Sequence, residues 1–238
     1  MRKISQIQFA YAVWCTVILF LGACSALSPV LKQLEEVKAH SSQEDYTWIA
    51  EKEISCDASD EGCNQLHLIK GDACFRLAKQ EESAEKKAEA RAHYECAVTH
   101  LETGIKQTTN WQQGVNLNLD RPQTYENLCE ALRGWQDLET GEAAAQLTQR
   151  LFRTAQEFLT AEPGNLAAIY FLNSARFTML RKDLLQPEAP QALCEKLNKI
   201  IQALDDGMQR AEGGRYEANY RRLRLDVAGA KQIVPGCQ

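Results

Sequence analysis

The chain has 238 residues, with 27 basic and 32 acidic side chains and a formal net charge of −5. That acidity argues against nucleic-acid binding and against broad electrostatic attachment to anionic lipid. The length suffices for one sizeable core or one helical array. No alternating run is long enough for a strand, and the 6 prolines and 13 glycines lie mostly between apolar-periodic segments.

Residues 1–23 read as an export signal. Arg2 and Lys3 form a short positive region, followed by an apolar run with Val13, Trp14, Val17, Ile18, Leu19, Phe20 and Leu21. The run is short for a membrane span and ends in small residues. Leu21-Gly22-Ala23-Cys24 resembles the processing site of bacterial lipoproteins. The competing reading is an ordinary secretory signal, or a single anchor with an incidental cysteine. The lipoprotein resemblance implies cleavage before Cys24 and acylation (palmitate-type) of its sulfur and of the new amino terminus. Ser25 in place of Asp is similar to lipoproteins sorted to the outer membrane, here facing the periplasm. Acyl chains hold a protein at a membrane by about 0.8 kcal/mol per buried methylene. Loss of the leader makes the mature chain two charges more acidic.

Residues 24–62 read as a linker with two helices. Ser28-Pro29 opens the first, with Val30, Leu31, Leu34 and Val37 on one face to about residue 40. Ser42 is placed to cap a second over 43–54. The stretch from Cys56 to Cys63 is an acidic, turn-rich loop.

Residues 63–238 alternate helical patterns with breaks. A helix over 63–81 has Leu66, Ile69, Ala73 and Leu77 as its inner stripe, and another follows over 84–105. Glu81, Glu82, Glu85 and Glu89 interleave with Lys86, Lys87 and Arg91, the pattern of a solvated face. A polar connection over 106–121 leads to Pro122. The next helix carries Tyr125, Leu128, Cys129, Leu132 and Trp135, and Gly141 breaks it. A helix over 142–161 ends at Pro163-Gly164-Asn165, where proline removes a donor and Asn165 can cap the next helix. That next helix has Ile169, Leu172, Ala175 and Phe177, with Arg176 where a core aromatic is expected. Pro187-Glu188-Ala189-Pro190 starts another, and Gly213-Gly214 ends it. A last helix over 215–232, with Tyr216, Tyr220, Leu223 and Val227, closes the array.

Gly71-Asp72-Ala73-Cys74-Phe75-Arg76-Leu77-Ala78, with Ala90, Tyr94 and Ala97 downstream, resembles a tetratricopeptide repeat (TPR). Gly71 and Ala90 are further apart than in that family. The resemblance covers roughly 63–211 as three degenerate units. It implies an all-α fold of antiparallel helical hairpins stacked as a short right-handed superhelix. It also implies a concave groove lined by the first helix of each unit. Carried across, the groove positions are Gln65, Leu68, Asp72 and Phe75, then Gln123, Glu126, Glu130 and Arg133, then Ala167, Tyr170, Ser174 and Phe177. Phe75 and Phe177 read equally well as core. Such a groove suits an extended peptide or a partner helix.

Nine cysteines include Cys15 in the leader and Cys24 at the lipid site. An exported chain meets an oxidising compartment. Hairpin midpoints propose Cys74 with Cys96 and Cys194 with Cys237, while Cys56 and Cys63 close a short loop and Cys129 is left as a buried thiol. Cys56, Cys63 and His67 are ligand types, but Cys-x6-Cys-x3-His is no standard zinc spacing, so neither metal nor cofactor is expected. Of the histidines His40, His67, His93 and His100, His93 and His100 share a helix face but neither has a nucleophile or carboxylate constellation around it in sequence, and no phosphate loop or Gly-x-Ser-x-Gly occurs. The chain therefore reads as no enzyme. The resemblance implies a membrane-tethered scaffold binding a periplasmic or outer-membrane protein or peptide, as in assembly of secretion, pilus or envelope complexes. The alternative is a small-ligand-binding accessory lipoprotein of a transport system.

Overall fold

The computed structural model describes residues 28–111, 120–185 and 189–237. The leader, Cys24 and the Pro187-Glu188 helix start lie outside the described residues. Every regular element within them is an α-helix: α1 (Pro29–Ser42), α2 (Tyr46–Glu51), α3 (Cys63–Ser83), α4 (Lys87–Gln107), α5 (Arg121–Leu138), α6 (Gly141–Ala161), α7 (Leu166–Leu185), α8 (Pro190–Arg210) and α9 (Glu217–Gln232).

The helix starts follow capping chemistry. Ser28 Oγ accepts from the Leu31 amide at 3.2 Å ahead of Pro29. Asp120 accepts from Gln123 at 2.8 Å ahead of Pro122, and Asn165 accepts from Ala168 at 3.1 Å. Each side chain satisfies an amide that the first turn cannot pair internally. Ser42 does not cap the second helix. It ends α1, its hydroxyl donating back to Ala39 carbonyl, and Asp45 caps α2 instead by accepting from Trp48. The second helix is consequently shorter than 43–54. At the start of α3 the chain turns through Gly62 at φ 88°, and a Cβ there would also stand 2.9 Å from Leu34 Cδ2.

Helices pack in sequence as antiparallel hairpins, α3 with α4, α5 with α6, and α7 with α8, and α9 packs back on α8. Alternate helices also touch, α3 with α5, α5 with α7 and α7 with α9. The first helices of successive hairpins therefore form one row. α1 and α2 cover the open side of α3, where Val30, Leu34, Val37 and Ile49 bury against Leu66, Ile69 and Ala73.

Close approach is carved by small residues opposite large ones. A Cβ on Gly71 would lie 2.7 Å from Leu101 Cγ and 2.9 Å from its backbone nitrogen, so α3 and α4 are in near-contact there. Tyr94 of α4 lies over Gly134 of α5, and Tyr220 of α9 over Gly207 of α8. Both tyrosines are fully buried, with partners for their hydroxyls: Tyr94 donates to Glu82 at 2.7 Å and Tyr220 to Leu166 carbonyl at 2.8 Å. Glu82 is thereby drawn from its expected solvated face. In α7 the register resolves by one position: Phe177 is buried, whereas Arg176 is exposed, with its guanidinium 5.8 Å from the Phe152 ring.

Among the described residues, three disulfides link Cys56 to Cys63, Cys74 to Cys96 and Cys194 to Cys237, with Cα separations of 5.8, 5.9 and 5.4 Å. These are the pairs that the hairpin midpoints and the short loop propose. Cys129 is a buried free thiol, and burial pushes its ionisation well up.

Candidate binding groove

The row of first helices is where the sequence places a groove, and the structure divides its residues into three groups. On α3, Leu68 and Phe75 are core: Leu68 is fully buried and packs into the notch at Gly104 of α4. These two do not face a partner. Gln65 is half-buried, and its Oε1 has no hydrogen-bond partner among the described residues. Asp72 is buried in an internal chain of polar contacts, accepting from Arg76 at 2.8 Å and from Asn127 of α5 at 2.9 Å. Asn127 in turn accepts from Gln123 at 2.7 Å. Burial raises the Asp72 carboxyl above its ordinary range, against the pull of Arg76 and Asn127. This chain joins the first two hairpins and has little capacity left for a ligand.

The second group holds the end of the array closed. Arg215 pairs with both Glu126 and Glu130 of α5, and Tyr216 donates to Glu126 at 2.8 Å. Burial raises the Glu130 carboxyl, opposed by Arg215 and reinforced by Glu126. The start of α9 is thus clasped to α5 across α7. Ala167 is buried with them. Tyr170 ties α7 into the same region by ring contacts at 5.6 Å to Tyr216 and 5.9 Å to Tyr220.

The third group lines a cleft of about 360 Å³ between α5, α7 and α9. Tyr170, Ser174, Phe177 and Leu223 are its buried lining. Arg133, Arg181 and Arg222 bring three guanidinium groups, against the carboxylates of Asp137 and Asp226. Arg133 donates to the Tyr170 hydroxyl and lies over its ring, and Arg181 lies 5.3 Å over Phe177. These contacts orient two of the guanidinium planes while leaving donors unspent. Arg222 is exposed and forms no ion pair among the described residues. Guanidinium forks of this kind bind carboxylates bidentately, and their planes stack on aromatic or peptide groups.

Of the groove positions expected from sequence, Arg133, Tyr170, Ser174 and Phe177 meet in this cleft. Asp137, Arg181, Asn219, Arg222 and Asp226 were not among them. The last three come from the final helix, which reads in sequence as a mere cap. Their i, i+3, i+7 spacing marks one polar face of α9. The sequence does not show which hairpin that face opposes.

The histidines are engaged separately. His40 stacks on Trp48 at 3.7 Å and meets Asp45, and His93 meets Glu81 at 2.6 Å. His67 of α3 and His100 of α4 face each other, Nδ1 to Nδ1, at 2.8 Å.

No family model, curated protein or solved structure matches the chain. Among the described residues, no helix is long and apolar enough to cross a membrane.

Proposed function

We propose that this chain is a TPR-like scaffold lipoprotein, tethered through Cys24 to the periplasmic face of the outer membrane. In this reading it holds an extended segment of a protein partner in the cleft between α5, α7 and α9. The observation that carries the reading is the cleft itself. Its walls come from the first helices of two successive hairpins and the closing helix α9, its lining is aromatic, and its rim carries Arg133, Arg181 and Arg222 against Asp137 and Asp226. Aromatic lining with a basic excess suits a segment bearing carboxylates next to an apolar anchor. The tether rests on the Leu21-Gly22-Ala23-Cys24 pattern alone.

Charge reversal tests the cleft. Arg222→Glu removes a solvent-facing cation without touching a core contact, so the fold should survive while partner capture falls by tenfold or more. Capture unchanged in both Arg222→Glu and Arg181→Glu would move the binding surface elsewhere.

A second reading has its own observation. A hollow of about 570 Å³ between α4, α5 and α6 is lined by Ile105, Tyr125 and Leu128 with Arg150 and Arg153. Its volume is in the range of small-ligand sites. It supports the accessory role in a transport system. Native mass measurement of the purified protein separates the two: a retained small molecule favours this reading over the scaffold.

A further inference from the structure

Cys56, Cys63 and His67 each present a ligand atom, and these atoms all lie within 4.8 Å of one another. Cys63 and His67 are one turn apart on α3, so they project from the same face. The sequence supplies only these three. Folding of the α3–α4 hairpin brings a candidate fourth beside His67, because His100 Nδ1 comes to 2.8 Å from His67 Nδ1. Two thiols and two imidazoles are the donor set of tetrahedral zinc sites.

We propose that Cys56, Cys63, His67 and His100 form a redox-gated site for Zn²⁺ or a similar thiophilic divalent ion, closed while Cys56 and Cys63 are disulfide-bonded and open when they are reduced.

His100 stands outside the three residues whose ligand atoms lie within 4.8 Å of one another, so closing the site requires its ring to move toward the sulfurs. Around a tetrahedral zinc, two nitrogens stand about 3.3 Å apart and two sulfurs about 3.8 Å apart. The imidazoles need to separate by roughly half an ångström from their present contact. The cysteine Cα atoms, 5.8 Å apart, allow the sulfurs to part by side-chain rotation. Cys56 sits on non-helical chain between α2 and α3 and is only half-buried, so a reductant reaches the bond without dismantling α3.

The chemistry balances with a dithiol as reductant. Its two thiols deliver two electrons and two protons to the Cys56–Cys63 bond and leave as a disulfide. Metal binding then releases the two cysteine protons to solvent. The proton shared between the histidine Nδ1 atoms moves to an outward Nε2, freeing both Nδ1 lone pairs.

The test uses the full chain with Zn²⁺ and Co²⁺, before and after treatment with a dithiol under anaerobic conditions. The reduced chain should bind one ion, give the charge-transfer and d–d bands of a tetrahedral two-thiolate cobalt site, and protect Cys56 and Cys63 from alkylation. The oxidised chain should bind at least 100-fold more weakly. His67→Ala should lose at least tenfold in affinity, and so should His100→Ala, with helicity checked by circular dichroism. The proposal is overturned if the reduced chain binds no ion. It is also overturned if binding persists in Cys56→Ser/Cys63→Ser, if either histidine variant binds like the parent, or if alkylation of Cys56 and Cys63 is unaffected by the metal. The alkylation readout needs no variant, so a variant that fails to fold does not blunt the test.

Discussion

Single residues set the spacing of this array. Gly71 meets a backbone atom of α4, which cannot rotate away as a side-chain tip can. Gly71→Leu should therefore overpack the α3–α4 contact and cost about 1–3 kcal/mol. Thermal unfolding should show a midpoint lower by several degrees, and a variant melting with the parent would contradict the contact. Asp72 makes a pH-dependent contribution whose sign follows from burial. Its folded carboxyl holds a proton to higher pH than the unfolded one, whose ordinary value is 3.8. Across the window from there up to the raised value, the folded state binds more protons, so this group's contribution falls as pH rises. Asp72→Asn should flatten that decline. Urea-unfolding curves taken from pH 3.5 to 6.5 for both proteins measure the difference directly.

At the scale of elements, the hairpin is the unit that the sequence exposes best. Apolar periodicity and the Pro163-Gly164-Asn165 break locate the helices to within a few residues, because helix faces and breakers are local properties. Antiparallel geometry then brings equidistant cysteines to the same height, so the turn position proposes Cys74–Cys96, and the inward direction of both side chains completes the bond. Replacing that pair with Cys74→Ala/Cys96→Ala should cost about 3 kcal/mol if it acts by restricting the unfolded chain. Cys129 should resist alkylation until the protein unfolds, since it is fully buried and its thiolate is disfavoured. What the sequence hides is the contact between hairpins. Glu126 and Glu130 look like free groove positions, but Arg215, 85 residues beyond Glu130, takes up their charge. Leu68 occupies a groove position by repeat counting, yet the notch at Gly104 draws it inward. His100 completes the histidine pair only after α3 and α4 close. Such partners are set by tertiary packing and leave no spacing rule in the chain.

At the scale of the whole molecule, the proposed function would need two ends of the chain to work together. The amino-terminal cysteine would fix the protein to a membrane, and the far end of the array would present the cleft. Cys24→Ala should leave an uncleaved precursor without acyl groups, as seen by intact mass and by labelling with a fatty-acid analogue. A mature, membrane-bound Cys24→Ala protein would contradict the tether. The cleft is tested most directly by site-specific photocrosslinking in living cells. A photoreactive residue would replace Asn219 in the cleft and, in parallel, Glu195, which is exposed on α8 outside it. A discrete adduct is expected from position 219 that disappears when Arg222→Glu is added, with no such adduct from position 195. The same adducts from both positions, or an adduct from position 219 that survives Arg222→Glu, would contradict the cleft as the binding surface.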